Sequence, residues 1–358
     1  MNILRKKLHN NLFISQNKPI LIFKKNYELD TSSKRKFTEQ DFHDLSAFYN
    51  KNYNIDNGIN ITQLSSASLK RYAYVDSEIL FIKNDEMIGS IISILIPTKI
   101  ITNLNKNTLE ISNRLQSHNF EDSLVLACTS FLVLDKKYRK KGYGMSLIQE
   151  SLQILHNNGG LGAYFINSVS RCINSVKLNI WYFPLNIDKL KKYNYPYPSN
   201  YKFNIPDVKN LIIEKVNDEY EVFNFYHSLI KNKKFAFSPS FSQWKKWTHV
   251  FPTYTVSKEG NKIGIFSFDF NELRCPLNRM IFSRASLLIC IGDQPNTLNS
   301  ALSICKNIYD ILEFYQTGDL TSSLLSSIFS QKYDRNKWIN FYNMQIDLNS
   351  SEIYVPIF

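Results

Sequence analysis

The sequence predicts an α/β fold, a mixed sheet flanked by helices and arranged as two consecutive halves, and three observations carry that prediction. Residues 124–134 form a long apolar run suited to a strand buried on both faces, followed directly by a basic, glycine-containing turn and an amphipathic stripe. Residues 79–82 and 87–96 are two β-rich runs separated by Asn84 and Asp85, the pattern of a hairpin. Tyr195-Pro196-Tyr197-Pro198-Ser199-Asn200 sets two prolines beside a polar pair, which resists helix and sheet alike. The division is expected there, giving domains 1–198 and 199–358.

Thr38 and Asp41 have the spacing of a capping box, and Phe42, Leu45, Phe48 and Tyr49 recur at helical spacing, so a helix is expected through Lys51. Residues 103–122 are polar and weakly patterned and read as a surface insertion with some disorder. After the buried run, Met145, Leu147, Ile148, Leu152 and Leu155 draw one helical face that stops at Asn157, Asn158 and Gly159. Beyond the proline break a similar order returns: a helix over 216–230, a hairpin across Glu259 and Gly260, a strand over 286–291, and helices near 298–309 and 320–329. The second half reads as a diverged copy of the first that lacks the basic glycine turn.

Composition narrows the classes. With 44% hydrophobic residues the chain can bury a sizeable core, and its net charge of +12 attracts anions without choosing among phosphates, nucleic acid and acidic membrane. Cys128, Cys172, Cys275, Cys290 and Cys305 form no CxxC pair, which points to reduced, intracellular thiols. The six histidines are scattered, so no metal site is expected. The basic start lacks the apolar stretch of a secretory signal, and the most apolar run, 88–96, stops at Pro97, well short of the roughly 20 residues of a membrane span. A soluble, cytoplasmic protein is expected.

One motif carries chemistry. Arg139-Lys140-Lys141-Gly142-Tyr143-Gly144 fits R-x-x-G-x-G between a buried strand and a helix, with Lys136 and Lys137 just ahead of it. Glycines let the backbone approach a ligand closely, and the free N–H groups of a helix start suit a diphosphate. A solvated basic turn would show the same six residues, but the strand before and the helix after favour the ligand loop. It resembles the loop that holds the diphosphate of coenzyme A in the GNAT superfamily of acyltransferases.

A more specific resemblance follows. Phe131-Leu132-Val133-Leu134-Asp135-Lys136-Lys137-Tyr138-Arg139 is similar to the "FLCVHKKLR" signature of the protein N-myristoyltransferases, with the phosphate loop at the right distance. Other similarities run in the same order along the chain. Leu12-Phe13-Ile14-Ser15-Gln16 resembles the family's N-terminal clamp over the cofactor, Ile180-Trp181-Tyr182-Phe183-Pro184-Leu185-Asn186 resembles "YWHRSLN", and Phe341-Tyr342-Asn343 resembles its closing "YLYN".

The resemblance implies two tandem GNAT-like domains and direct transfer of a myristoyl group from myristoyl-CoA to the N-terminal glycine amine of a protein or peptide, with no metal. It places the acyl-CoA against Phe13, Gln16, Phe131, Leu132, Val133, Leu134, Arg139, Lys140, Lys141, Gly142, Tyr143, Gly144 and Met145. It makes the backbone amides of Phe131 and Leu132 the oxyanion donors and the terminal carboxylate of Phe358 the base that deprotonates the amine. The apolar stretch 353–358 reads equally well as a plain C-terminal strand. Asp56, Tyr164, Tyr182 and Asp334 fall at the acceptor positions, where this chain departs most from the family pattern: Tyr182-Phe183 replaces "HR", and Tyr164-Phe165 replaces the tyrosine-threonine pair of "YTAG". A short-chain N-acetyltransferase on the same fold and a non-catalytic binding protein stay open as alternatives. Nucleic acid and a membrane span are not expected partners, and a monomer is.

Overall fold

The computed structural model describes residues 36–53, 61–84, 86–100, 123–157, 160, 162–167, 175–195, 208–216, 220–275, 278–328, 336–342, 344–346 and 348–358, with two short strand segments at 12–14 and 28–31. The insertion expected at 103–122 and the proline break near residue 198 lie outside the described residues.

The first half of the chain supplies strands β1 (Leu12–Ile14), β2 (Glu28–Thr31), β3 (Ile61–Gln63), β4 (Ser77–Asn84), β5 (Glu86–Ile100), β6 (Ser123–Leu134), β7 (Gly162–Asn167) and β8 (Ser175–Pro184). Its helices are α1 (Glu39–Asn52), α2 (Ser66–Tyr74), α3 (Tyr143–Asn157) and α4 (Ile187–Lys192). The second half supplies β9 (Leu211–Lys215), β10 (Phe235–Phe237), β11 (Thr253–Lys258), β12 (Asn261–Arg274), β13 (Ile281–Gly292), β14 (Ile311–Tyr315), β15 (Asn336–Tyr342), β16 (Met344–Ile346) and β17 (Ile353–Tyr354). With them come α5 (Tyr220–Ile230), α6 (Phe241–Val250), α7 (Asn296–Lys306) and α8 (Ser322–Ile328).

The expected elements form where local chemistry calls for them. Thr38 and Asp41 make both halves of the capping box, and α1 buries Phe42, Leu45, Phe48 and Tyr49. The 79–96 hairpin pairs antiparallel from Asn84–Glu86 outward. The helix expected from 216 begins at Tyr220, because the Val216 N–H is taken by Thr253 O at 2.8 Å and so belongs to the sheet. The 286–291 strand extends to Ile281–Gly292, since its partner β12 is long enough to pair along all of it, from Gly264 to Arg274.

Fifteen strands among the described residues join one mixed sheet, whose main path runs β17-β10-β5-β6-β7-β15-β8-β14-β13-β12-β11-β9. Strand β15, from near the end of the chain, sits between β7 and β8, and β10 adds to the far end of β5. Segments of the second half are thus built into the sheet of the first, and the sheet is continuous across the expected division. One core cluster packs beneath α1, α2, α5 and α6, with Trp244 and Tyr226 fully buried; a second lies under α7 and α8. Among the described residues no helix is long and apolar enough to cross a membrane.

Candidate active site

The site grows from β6. This strand pairs in parallel with β7 only at Leu126–Gly162, Ala127–Ala163 and Cys128–Tyr164, although β6 runs on to Leu134 and β7 to Asn167. The two strands therefore part after Cys128, leaving a wedge between them. On its other edge β6 pairs with β5, and the register slips at the same level: Ser90 faces Val133 and Ile92 faces Ser130, so Phe131 and Leu132 together oppose the single residue Ile91. Such a bulge disrupts the ladder and re-aims the backbone. Phe131 occupies the left-handed region at φ 55, which costs a non-glycine residue about 1–2 kcal/mol. Its ring offsets this, stacking at 5.3 Å on Tyr72 and meeting Tyr49 edge-on at 5.8 Å; each such aromatic pair contributes about 0.5–1.5 kcal/mol. Packing thereby holds two amide-bearing residues in a strained bend at the mouth of the wedge.

The basic turn lies just beyond. Lys140 at φ 60 and Gly142 at φ 87 bend the chain into α3. The first bond of the helix back to the turn runs from Ser146 N–H to Gly142 O at 3.1 Å, so the amides of Tyr143, Gly144 and Met145 have no carbonyl within the helix to bond. A helix start of this kind, with Lys140 and Lys141 exposed beside it, fits a diphosphate. Arg139 is committed elsewhere in part: its Nε donates to Leu134 O at 3.2 Å and an Nη to Asn52 O at 2.6 Å, tying the turn to the end of β6 and to α1. Val133 is buried, Leu134 packs against Gly89 and Gly144, and Leu132 and Met145 stay exposed.

The C-terminal segment touches both strands of the wedge. Tyr164 donates its hydroxyl to Pro356 O at 2.8 Å, and the Ser130 hydroxyl donates to Phe358 O at 3.1 Å. The Phe358 ring packs 5.5 Å from Phe251, 5.8 Å from Tyr72 and 6.0 Å from Trp247. The carboxyl end of Phe358 thus sits against the residue that precedes the bulge. Only Ile353–Tyr354 is a strand, so the rest of 353–358 is a buried extension and not a continued sheet edge. Cys128 lies beneath it, and burial pushes its thiol up to about 11, which keeps it protonated and disfavours it as a nucleophile.

A polar floor flanks the aromatic box. Tyr72 donates to Asp269 Oδ2 at 2.5 Å, and Arg71 pairs with Asp269 Oδ1 at 3.2 Å. Further along the same sheet Arg284 and Glu313 form a buried pair at 2.9 Å. Tyr182 faces Glu313 across β8 and β14; burial first, and then that carboxylate, hold its phenol well above the ordinary value. Tyr164 is pushed up by burial too, and its bond to Pro356 makes it a holder of the C-terminal segment.

Phe131, Leu132, Phe358 and Tyr164 therefore come together, with the turn from Arg139 to Met145 following β6 directly and Tyr182 on the polar floor. Phe13 lies on β1, opposite Gln345 of β16, in a separate two-stranded ribbon. Gln16, Asp56 and Asp334 lie outside the described residues. Sequence reading missed Ser130, Tyr72, Asp269, Arg284 and Glu313, because none stands in a recognisable motif; only the pairing of distant strands assembles them. Among the described residues no three His, Cys, Asp or Glu side chains gather as a metal site.

A mixed sheet with a parted parallel pair, a bulge at the parting and a glycine turn into a helix defines a GNAT-like fold. Across 96% of this chain and 92% of that one, the fold is that of Saccharomyces cerevisiae N-myristoyltransferase with bound myristoyl-CoA, with a TM-score of 0.72 at 13% identity. Two further structures of that enzyme, one with bound myristoyl-CoA and one with myristoyl-CoA and inhibitors, match at 0.68 and 0.65, covering 87% and 88% of their chains. No family profile and no curated protein sequence matches the chain.

Proposed function

We propose that this protein transfers a fatty acyl group, myristoyl in particular, from acyl-CoA to the N-terminal glycine amine of a peptide or protein. The observation that carries this reading is the coincidence at one place of the Phe131–Leu132 bulge, the carboxyl end of Phe358 and the wedge that leads to the glycine turn. The amides of Tyr143, Gly144 and Met145, with Lys140 and Lys141, hold the diphosphate. The amides of Phe131 and Leu132 receive the thioester oxygen as it gains charge, a role for which a preorganised donor contributes about 3–4 kcal/mol. The Phe358 carboxylate takes a proton from the acceptor amine, which is mostly protonated at neutral pH. The amine nitrogen then attacks the thioester carbon; the N–C bond forms, the C–S bond breaks, and coenzyme A leaves as a thiolate that takes up the second proton the nitrogen sheds, so the products are a neutral amide and coenzyme A thiol. The buried, protonated Cys128 is consistent with direct transfer.

The test is release of free coenzyme A from myristoyl-CoA in the presence of glycine-starting peptides, with mass spectrometry of the peptide. Binding of coenzyme A with no acylated peptide would refute the proposal. Acyl length is read separately: each buried CH2 adds about 0.8 kcal/mol, so myristoyl-CoA should raise Tm far more than acetyl-CoA does.

A further inference from the structure

Residues 349–354 are held by contacts that lie away from the bulge. Asn349 caps the turn Ser350–Glu352, after which β17 runs parallel to β10 with Ile353 opposite Phe235. At Tyr354 three polar groups close on one another. Lys233 Nζ donates to Asp319 Oδ1 at 2.9 Å and to Tyr354 Oη at 2.9 Å, and Tyr354 Oη donates to Asp319 Oδ1 at 2.7 Å. The ammonium also lies 4.4 Å from the centre of the Tyr354 ring. Gly318, at φ 57, lets its loop come this near, because a Cβ there would fall 2.6 Å from Tyr354 Cε1. Its N–H donates to Ser350 O at 2.9 Å. Three chain segments, following α5, β14 and β16, therefore meet on one phenol.

The triad is a poor source of stability. The Lys233 and Asp319 side chains keep 27% and 25% of their surface in water, and pairs so exposed contribute little. What it does supply is register. Tyr354 and Phe358 are four residues apart, at most about 14 Å of extended chain, and both Pro356 O and Phe358 O have fixed partners in Tyr164 and Ser130. A slip of one residue at Tyr354 carries the carboxyl end about 3 Å along and moves the buried Val355 and Ile357 off their present sites.

We propose that Lys233, Asp319 and Tyr354 are positioning residues that set the register of the C-terminal segment and so hold the Phe358 carboxyl at Ser130. The inference rests on the acyl-transfer reading above, in which that carboxyl is the base. It also predicts something that reading does not: loss of rate from substitutions away from both the bulge and the glycine turn.

The experiment compares wild type with Tyr354→Phe and Asp319→Asn, measuring kcat, KM and their pH profiles, together with trimming of the chain end by a carboxypeptidase. The expected result is a kcat lower by about 10- to 100-fold at neutral pH, with KM for myristoyl-CoA unchanged. The deficit should shrink above about pH 8, where the acceptor amine loses its proton without help. Phe358 should be released faster from both variants than from wild type, with or without substrates. Unchanged kcat, or a deficit equal at every pH and matched by a lower Tm, overturns the proposal, the latter showing a merely structural triad. The two readouts separate the failures: wild type that makes no acylated peptide refutes the acyl-transfer reading, whereas equal trimming of all three proteins refutes the clamp.

Discussion

Gly142→Ala tests the element on which the proposed chemistry depends. Gly142 stands at φ 87, a conformation that costs an L-residue about 1–2 kcal/mol. Unfolding entropy of about 2.1 cal/mol/K per residue, taken over 358 residues, converts that cost into a fall in Tm of about 1.3–2.7 °C. The effect on ligand should be larger. A methyl group drives the turn away from positive φ, and the amides of Tyr143 to Met145 then lose their common aim. Each hydrogen bond to a charged group contributes about 1.5–3 kcal/mol, so losing one weakens coenzyme A binding by about 10- to 100-fold. Gly260→Ala is the matched control: its φ is 80, and a Cβ there would meet nothing within 4 Å. It should lower Tm by the same amount and leave the ligand untouched. Calorimetric melting with isothermal titration of coenzyme A reads both quantities. If Gly142→Ala matches Gly260→Ala in both, the turn is not the diphosphate site.

Other outcomes follow from burial. Arg284→Met strands the Glu313 carboxylate, and breaking such a buried pair costs about 3–5 kcal/mol; Arg284→Met with Glu313→Leu should recover most of it in urea unfolding. Trp244→Ala removes a fully buried ring that stacks 4.7 Å from Tyr226 and should cost about 3–5 kcal/mol, seen as a lower urea midpoint. Alkali should destabilise the fold. Burial pushes Cys128 up to about 11 and Cys290 up to about 12, so as pH rises past about 9 the unfolded chain releases protons that the folded chain keeps, and stability falls across the window up to the folded values. A urea midpoint at pH 10 equal to that at pH 7.5 would contradict the reading that burial keeps these two thiols protonated in the folded chain.

The elements that local chemistry specifies were legible in the residue order. Thr38 and Asp41 announced the start of α1, Asn84 and Asp85 announced the hairpin, and the apolar run 124–134 followed by Gly142 and Gly144 announced β6, its turn and α3. Helix α2 was not visible, because nine residues of mixed Ser, Ala and Tyr are marginal alone; the Ser65 cap and the packing of Leu69 and Tyr72 on the core secure it. The polar floor was hidden for a related reason: Asp269, Arg284 and Glu313 each look like an ordinary strand residue until β12, β13 and β14 align them.

By itself the sequence determined the strand, the glycine turn and the helix start, since backbone freedom, charge and periodicity are properties of neighbouring residues. Only the tertiary structure decided that β15 enters between β7 and β8, that Phe131 is held at positive φ between Tyr72 and Tyr49, and that Arg139 is shared with the carbonyls of Leu134 and Asn52. It also decided that the Phe358 carboxyl oxygen rests on Ser130, a residue 228 positions earlier. No local preference encodes such a meeting; it comes with the burial of Val355 and Ile357 and with the bond of Tyr354 to Asp319, both made by residues far away in the sequence.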